Sequence, residues 1–263
     1  MLAKRIIACL DIRDGQLVKG VNFEGIREIG DPVEYAIKYN NEGADEITFL
    51  DINADSKSRN KMYDLLYKAC KNIFVPLTVG GGVSSVDDVK ELLRAGADKV
   101  SIGSAAVKNP KFISDAASIF GEQSVVIAID AKRISDERYE VFINGGRVNT
   151  GLELVDWAKK VEKFGAGEIL LTSMDTDGTK NGFDIPMLQA VCDAVNIPVI
   201  ASGGCGNVDD FVDVFEQTSA DAALAASIFH YGDLTIEQVK HELSKKNIPV
   251  RIQHKDGAVD GPI

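Results

Sequence analysis

Asp11 and Asp130 are the carboxylates best placed for chemistry. Asp11 ends the apolar run "IACLD" and Asp130 sits in the matching "IAIDAKR", so each stands where a buried strand would reach the surface. A strand-end Asp often only caps a loop, but two at matching positions can divide into one base and one acid if their environments differ. Around them a glycine device occurs twice. "VPLTVGGGVSSVDD" (Val75–Asp88) returns as "IPVIASGGCGNVDD" (Ile197–Asp210), with Pro76 matching Pro198, Gly81 matching Gly203 and Gly82 matching Gly204. Glycines let backbone N–H groups approach an oxyanion closely, and a following helix start adds partial positive charge. "GADKVSIGSAA" (Gly96–Ala106) returns as "SADAALAASIF" (Ser219–Phe229), which sets Ser104 against Ser227. Two phosphate sites would then face each other, Gly80–Gly82 with Gly103–Ser104 on one side and Ser202–Gly204 with Ala225–Ser227 on the other. That implies an elongated substrate with a phosphate at each end.

These residues need a scaffold that brings strand ends to one face. Short β-branched runs alternate with amphipathic helical stretches. Strands are expected near Arg5–Asp11, Glu46–Asp51, Leu77–Gly80, Lys99–Ile102, Val125–Asp130, Glu168–Ser173, Pro198–Ser202 and Ala222–Ala225. Segments such as "DDVKELLRAGA" and "GLELVDWAKKVEKFGA" read as helices between them. Near-continuous apolar strands suit a parallel sheet buried on both faces. Eight βα units fit an α/β fold, a (β/α)8 TIM barrel built from two similar half-barrels. A doubly wound open sheet is the alternative, but GxGxxG is absent. "GADEI" (Gly43–Ile47) returning as "GAGEI" (Gly165–Ile169) keeps the repeat in register. One barrel domain over 1–251 is expected, with 252–263 as a flexible tail. "DGQLVKGVNFEGIREIGDP" (Asp14–Pro32) reads as a long loop, a candidate lid in which Lys19 could reach a substrate anion.

The 263 residues are 45% hydrophobic and 26% charged, with a formal net charge of −11. That balance disfavours a nucleic acid as the main partner, and no apolar run reaches the length that spans a bilayer. Charge arrives too early in "MLAKRIIACLDIRDG" for a signal-peptide core, so a cytoplasmic location is expected. Cys9, Cys70, Cys192 and Cys205 are scattered, with neither a disulfide framework nor a zinc spacing. The histidines, His230, His241 and His254, cluster late in the chain, so carboxylates, lysines and backbone groups must carry most of any catalysis. "SMDTDGTKNGFD" (Ser173–Asp184) approaches a calcium loop but begins with Ser and ends with Asp rather than Glu. Asp177 and Gly178 more simply shape the mouth after the sixth strand, Asp177 matching Asp55. No metal or cofactor is expected.

The chain resembles the cyclase subunits of imidazole glycerol phosphate synthase, from histidine biosynthesis. The residues that carry the resemblance are "KRIIACLDIRDG", "LVKGVNF", "FLDI", "LTVGGG", "GADKVSI", "IAIDAKR", "GAGEILLTSMDTDGTKNGFD", "IASGG" and "ADAALAASIFH", within Met1 to Arg251. The resemblance implies a lyase that uses ammonia to convert a bis-phosphate formimino-carboxamide ribulosyl ribonucleotide into imidazole glycerol phosphate and aminoimidazole carboxamide ribotide. It puts the base on Asp11, the acid on Asp130 and the lid lysine on Lys19. Phosphate contacts fall on Gly82, Gly103 and Ser104 at one end, and on Asp177, Gly178, Gly204, Ala226 and Ser227 at the other. It also implies a heterodimer with a glutaminase subunit that sends ammonia down the barrel axis through a gate at Arg5, Glu46, Lys99 and Glu168. Two cations and two anions there could form a closed ring of ion pairs, or simply plug the barrel floor.

"IGS" (Ile102–Ser104) stands where the family often has "INT", which removes one side-chain donor. Asn53 in "LDINADS" replaces a hydroxyl. The rival readings are the sister aldose-ketose isomerase of the preceding step and a non-catalytic ammonia-conducting subunit of another amidotransferase. Lys19 and the charged floor argue against the first, and retention of both aspartates argues against the second.

Overall fold

The apolar runs form the staves of a barrel, and the segments between them lie over its outside. A computed structural model describes residues 2–21, 24–53, 56–136, 138–253 and 259–260. In chain order the elements are β1 (Arg5–Arg13), β2 (Gln16–Val21), β3 (Glu24–Gly30), α1 (Pro32–Asn41), β4 (Glu46–Asp51), α2 (Ser56–Ala69), β5 (Leu77–Gly80), α3 (Val86–Ala95), β6 (Lys99–Ile102), α4 (Ser104–Lys108), α5 (Lys111–Phe120), β7 (Val125–Ser135), β8 (Arg138–Ile143), β9 (Val148–Glu153), α6 (Leu154–Lys163), β10 (Glu168–Ser173), α7 (Ile185–Cys192), β11 (Val199–Ser202), α8 (Val208–Gln217), β12 (Ala222–Ala225), α9 (Ser227–His230), α10 (Ile236–Lys245), β13 (Ile252–Gln253) and β14 (Val259–Asp260). Strands β1, β4, β5, β6, β7, β10, β11 and β12 pair in parallel in that order. β12 pairs back onto β1, with Arg5 opposite Ala222, so the ring closes as a (β/α)8 barrel.

Period-two alternation sorts side chains between two separate cores. On β1, Ile7 and Cys9 join Val126, Leu170, Ile200, Ala222 and Leu224 inside the barrel. Ile6, Ala8, Leu10 and Ile12 of the same strand belong to the larger layer between sheet and helices. The inward face of β1 is therefore Arg5, Ile7, Cys9 and Asp11, which puts a charge at each end of an apolar plug. Among the described residues no helix is long and apolar enough to cross a membrane.

The half-barrel repeat extends to hydrogen bonds. α3 starts with a capping box between Ser85 and Asp88, and α8 with one between Asn207 and Asp210. The aspartates before three strands work alike. Asp45 accepts from Ile6 N (2.8 Å), Asp98 from Leu77 N (2.8 Å) and Asp221 from Val199 N (3.1 Å). The corresponding position in "GAGEI" is Gly167, where a Cβ would lie 2.1 Å from the Glu122 carbonyl oxygen. α10 is anchored to the barrel floor by Lys240, which is 3% exposed and donates to Gly43 O, Asp45 Oδ1 and Arg251 O. All three ammonium protons are satisfied, so this buried charge has its partners.

The structure corrects the loop expected over Asp14–Pro32. β2 and β3 form an antiparallel hairpin hung on β1, with Ile12 opposite Leu17. Asp14 and Gly15 both have positive φ (54° and 84°), which is the twist that a two-residue hairpin turn needs. β7 carries an equivalent hairpin of β8 and β9, unanticipated in the sequence. Pro198 drops out of its strand, and β11 begins at Val199. Of the tail, Ile252–Gln253 pairs with Val259–Asp260, while residues 254–258 and 261–263 lie outside the described residues.

Close approach makes Gly81 a sensitive position. Its φ is +102°, and a Cβ there would stand 2.1 Å from the Asp51 carbonyl oxygen. Gly81→Ala is expected to destabilise the fold by about 3 kcal/mol or more, combining backbone strain with the clash. Urea unfolding measures this, and a loss under about 1 kcal/mol would show that the β4–β5 junction yields easily.

Candidate active site

Asp11 and Asp130 stand across the C-terminal mouth of the barrel from each other. The ring runs β1–β4–β5–β6–β7 one way and β7–β10–β11–β12–β1 the other, so their strands are opposite. Asp11 lies in register with Leu50 of β4. Asp130 lies between Thr172 of β10 and Phe142 of β8. Asp130 keeps part of its surface open to the mouth, yet burial followed by the nearby charge of Asp177 pushes its carboxyl up to about 6. Its titration is thereby moved towards neutral pH, the direction an acid–base group needs.

Both glycine devices lead into capped helices, whereas the turns after β6 and β12 lead into uncapped ones. α3 and α8 consume their own first N–H groups in capping boxes. α4 and α9 have no side-chain cap, and their N-cap residues share an unusual backbone, with φ/ψ of −103°/−104° at Gly103 and −125°/−77° at Ala226. The orphan N–H groups of "GS" and "AAS" therefore lack side-chain caps. Gly82 and Gly204 approach with φ of 62° and 105°. A Cβ on Gly204 would lie 2.0 Å from the Gly182 carbonyl oxygen, so that backbone is pressed against the β10–α7 loop. Asp177 and Gly178 belong to this loop, where Thr176 Oγ1 donates to Gly203 O (3.1 Å). The structure thus gathers Gly82, Gly103 and Ser104 after β5 and β6, and Asp177, Gly178, Gly204, Ala226 and Ser227 after β10, β11 and β12.

Lys19 lies on β2 opposite Arg27, in the hairpin that follows Asp11. The Lys19 side chain and Asp55 are outside the described residues. Asn53 donates from its side chain to Asp14 at the hairpin turn (3.3 Å).

A polar network missed in the sequence seats the second hairpin. Asp184 accepts from Ser173 Oγ (3.3 Å), Tyr139 Oη (3.1 Å) and Met187 N (3.2 Å), and Arg133 reaches both Tyr139 and Asp184. Asp175 accepts from Arg133 N (2.7 Å). Asp175, in phase with a calcium loop, and Asp184, at its departing last position, are thus engaged by Arg133 of β7 and Tyr139 of β8. Among the described residues no group of three or more His, Cys, Asp or Glu side chains is arranged to hold a metal ion. His230 is buried beside Tyr39, with Nδ1 2.6 Å from the phenol oxygen.

The opposite end of the barrel is closed by charge. Arg5 pairs with Glu46 (2.9 Å) and with Glu168, and Lys99 pairs with both carboxylates at 2.8 Å. Thr78 Oγ1 also donates to Glu46 (2.5 Å). Glu46 is 1% and Glu168 5% exposed, so the two cations offset the cost of burying this pair of side chains. Burial opposes the Arg5 charge, but the Glu168 and Glu46 carboxylates outweigh it and hold the guanidinium above its ordinary value.

The closed parallel ring defines the class: a (β/α)8 barrel made of two matching halves. Residues 5–235 match a family model described as "Histidine biosynthesis protein". The chain is 60% identical over 257 residues to an imidazole glycerol phosphate synthase subunit HisF of Lactococcus lactis subsp. lactis (strain IL1403), covering 97% of this chain and 99% of the relative. It is 57% identical over 252 residues to the subunit of that name from Bacillus cereus (strain Q1), covering 96% and 100%. The chain belongs to this histidine biosynthesis family.

Proposed function

We propose that the chain acts as the cyclase subunit of imidazole glycerol phosphate synthase, with Asp11 and Asp130 as its acid–base pair. The names of relatives at 60% and 57% identity over nearly the whole chain support the subunit assignment. The observation that carries the chemical reading is the pair of opposed carboxylates, one of them raised to about 6, between two uncapped turns. The substrate spans the mouth with one phosphate on Gly82, Gly103 and Ser104. The other rests on Gly178, Gly204, Ala226 and Ser227, with Asp177 beside it. Ammonia attacks the ribulosyl group, and the adduct cyclises and splits into imidazole glycerol phosphate and the aminoimidazole carboxamide ribotide. Asp11 takes protons from the attacking nitrogen, and protonated Asp130 donates where a leaving group needs one. Lys19 folds over the substrate from its hairpin.

The subunit name implies a complex with a partner. In our reading that partner is a glutaminase docked on the floor, with ammonia entering past Arg5, Glu46, Lys99 and Glu168. The closed ion-pair floor favours this over the isomerase reading, which has no use for a gate. A cytoplasmic location follows from the same biosynthetic role.

The test is turnover of the bis-phosphate ribulosyl substrate by the purified chain with ammonium salt at alkaline pH, without a partner. Both products should form. Substrate that binds but does not turn over, beside an active control enzyme, would overturn the cyclase reading.

A further inference from the structure

The hairpin of β8 and β9 ends in a turn that touches the first phosphate site. Asn144, Gly145 and Gly146 have φ of 57°, 65° and 77°, three consecutive left-handed residues that fold the chain sharply. Gly146 packs so closely on Met174 that a Cβ would lie 2.6 Å from its terminal methyl. The backbone N–H of Asn144 donates to Ser104 Oγ (2.9 Å). A serine hydroxyl has one proton and two lone pairs. Accepting from Asn144 occupies a lone pair, and among the described residues nothing accepts the Ser104 proton. Asn144 thereby leaves Ser104 as a donor.

Two cations flank this contact. Lys108, one turn along α4 from Ser104, donates to Asn144 Oδ1 (3.4 Å), and Arg147 donates from Nε to Asn144 O (2.8 Å). Among the described residues neither has a carboxylate within ion-pair distance, in a chain with a net charge of −11. At the other end of the mouth the loop cation, Lys180, is already neutralised by Asp233 (2.9 Å). The two halves therefore match in backbone and differ in charge.

We propose that the β8–β9 turn completes the first phosphate site, with Lys108 and Arg147 supplying cationic charge to a phosphomonoester and Asn144 orienting the Ser104 hydroxyl towards it. This rests on the reading of Gly103–Ser104 as a phosphate site. It accounts for the missing side-chain donor at Gly103, because two cations and an oriented hydroxyl replace it. Charge-assisted contacts to phosphate are stronger than neutral ones, though exposure and salt weaken them here.

The test uses the complete chain, with ammonium as nitrogen donor and inorganic phosphate as a competitive inhibitor. Lys108→Gln and Arg147→Gln should each raise the substrate KM and the phosphate inhibition constant about three- to tenfold, with kcat falling less than KM rises. Arg147→Lys, which keeps the charge, should recover most of the loss. Lys159→Gln removes a charge from α6 on the outside of the barrel and is the control for net charge. The proposal is overturned if Ser104→Ala raises KM while the two Gln variants match Lys159→Gln, and the phosphate-site reading then survives. It is also overturned if Arg147→Lys is as impaired as Arg147→Gln, because charge would not be the cause. If Ser104→Ala leaves KM unchanged, the phosphate-site reading itself falls and this inference falls with it.

Discussion

Asp130→Asn is expected to cut ammonia-dependent turnover by about 10²–10⁴-fold, the range for losing a positioned acid or base, and to make the fold more stable at pH 8. Both effects have one cause. Burial, then the charge of Asp177, raises the carboxyl from 3.8 to about 6, so the folded chain holds a proton that the unfolded chain would release. Stability from this group is fully present below its unfolded value and is lost as pH rises to about 6. Above that the ionised side chain imposes a constant penalty, on the order of 2–3 kcal/mol for such a shift. The Asn variant removes the charge and keeps the shape, so the penalty disappears. Urea unfolding should find Asp130→Asn more stable than the parent by about 2 kcal/mol at pH 8, with the difference shrinking towards zero at pH 4. A variant less stable at pH 8 would mean that Asp130 is held by favourable contacts rather than strained by burial. Turnover within tenfold of the parent would remove it from the chemistry. Asp11→Asn is expected to abolish turnover, with the fold retained.

The barrel is legible in the sequence because its strands obey a simple rule. Parallel strands covered on both faces read as continuous apolar runs, as "EITFLD", "LTVG" and "EILLTS" do. The duplicated "VDD" is legible as a repeat, but its meaning as two capping boxes emerges only when the Asp88 and Asp210 carboxylates are seen on the N–H groups before them. The hairpins were hidden because half-exposed antiparallel strands carry mixed residues. "QLVKGV" and "VNTGLE" look like loops unless the turn chemistry of Asp14–Gly15 and Asn144–Gly146 is given weight. The Asp184 network could not be read at all, since Tyr139 and Arg133 reach it from 45 and about 50 residues away. Its one local sign is the Asp before Ile185–Pro186, which marks a helix start. For the floor, the signs of the four charges were readable and their pairing was not. Thr78 in particular had no signal, because a strand threonine reads as ordinary sheet residue until its hydroxyl is found on Glu46.

Lys99→Ala is expected to separate the two sources of ammonia. Lys99 bridges Glu46 and Glu168, and without it, among the described residues, Arg5 is the one cation left to both buried carboxylates, with Thr78 still donating to Glu46. Leaving a charge short of its partner in such a place costs about 3–5 kcal/mol when fully buried. Lys99 is 19% and Arg5 26% exposed at the side chain, so water moderates the loss, and a fall of about 2–3 kcal/mol in unfolding free energy is expected. The functional consequence depends on where ammonia enters. Free ammonia in solution can reach the mouth directly, where Asp11 and Asp130 lie. In the proposed complex, ammonia released by a docked glutaminase would pass the floor. The ratio of glutamine-dependent to ammonium-dependent turnover should therefore fall about tenfold or more in Lys99→Ala, within the range of coupling between sites. Measuring both rates on one preparation, with the partner saturating, cancels any loss of folded protein. An equal fall in both rates would reduce the ring to a structural floor. An unchanged ratio with a destabilised fold would lead to the same conclusion, because the ring would then hold the barrel closed without controlling what crosses it.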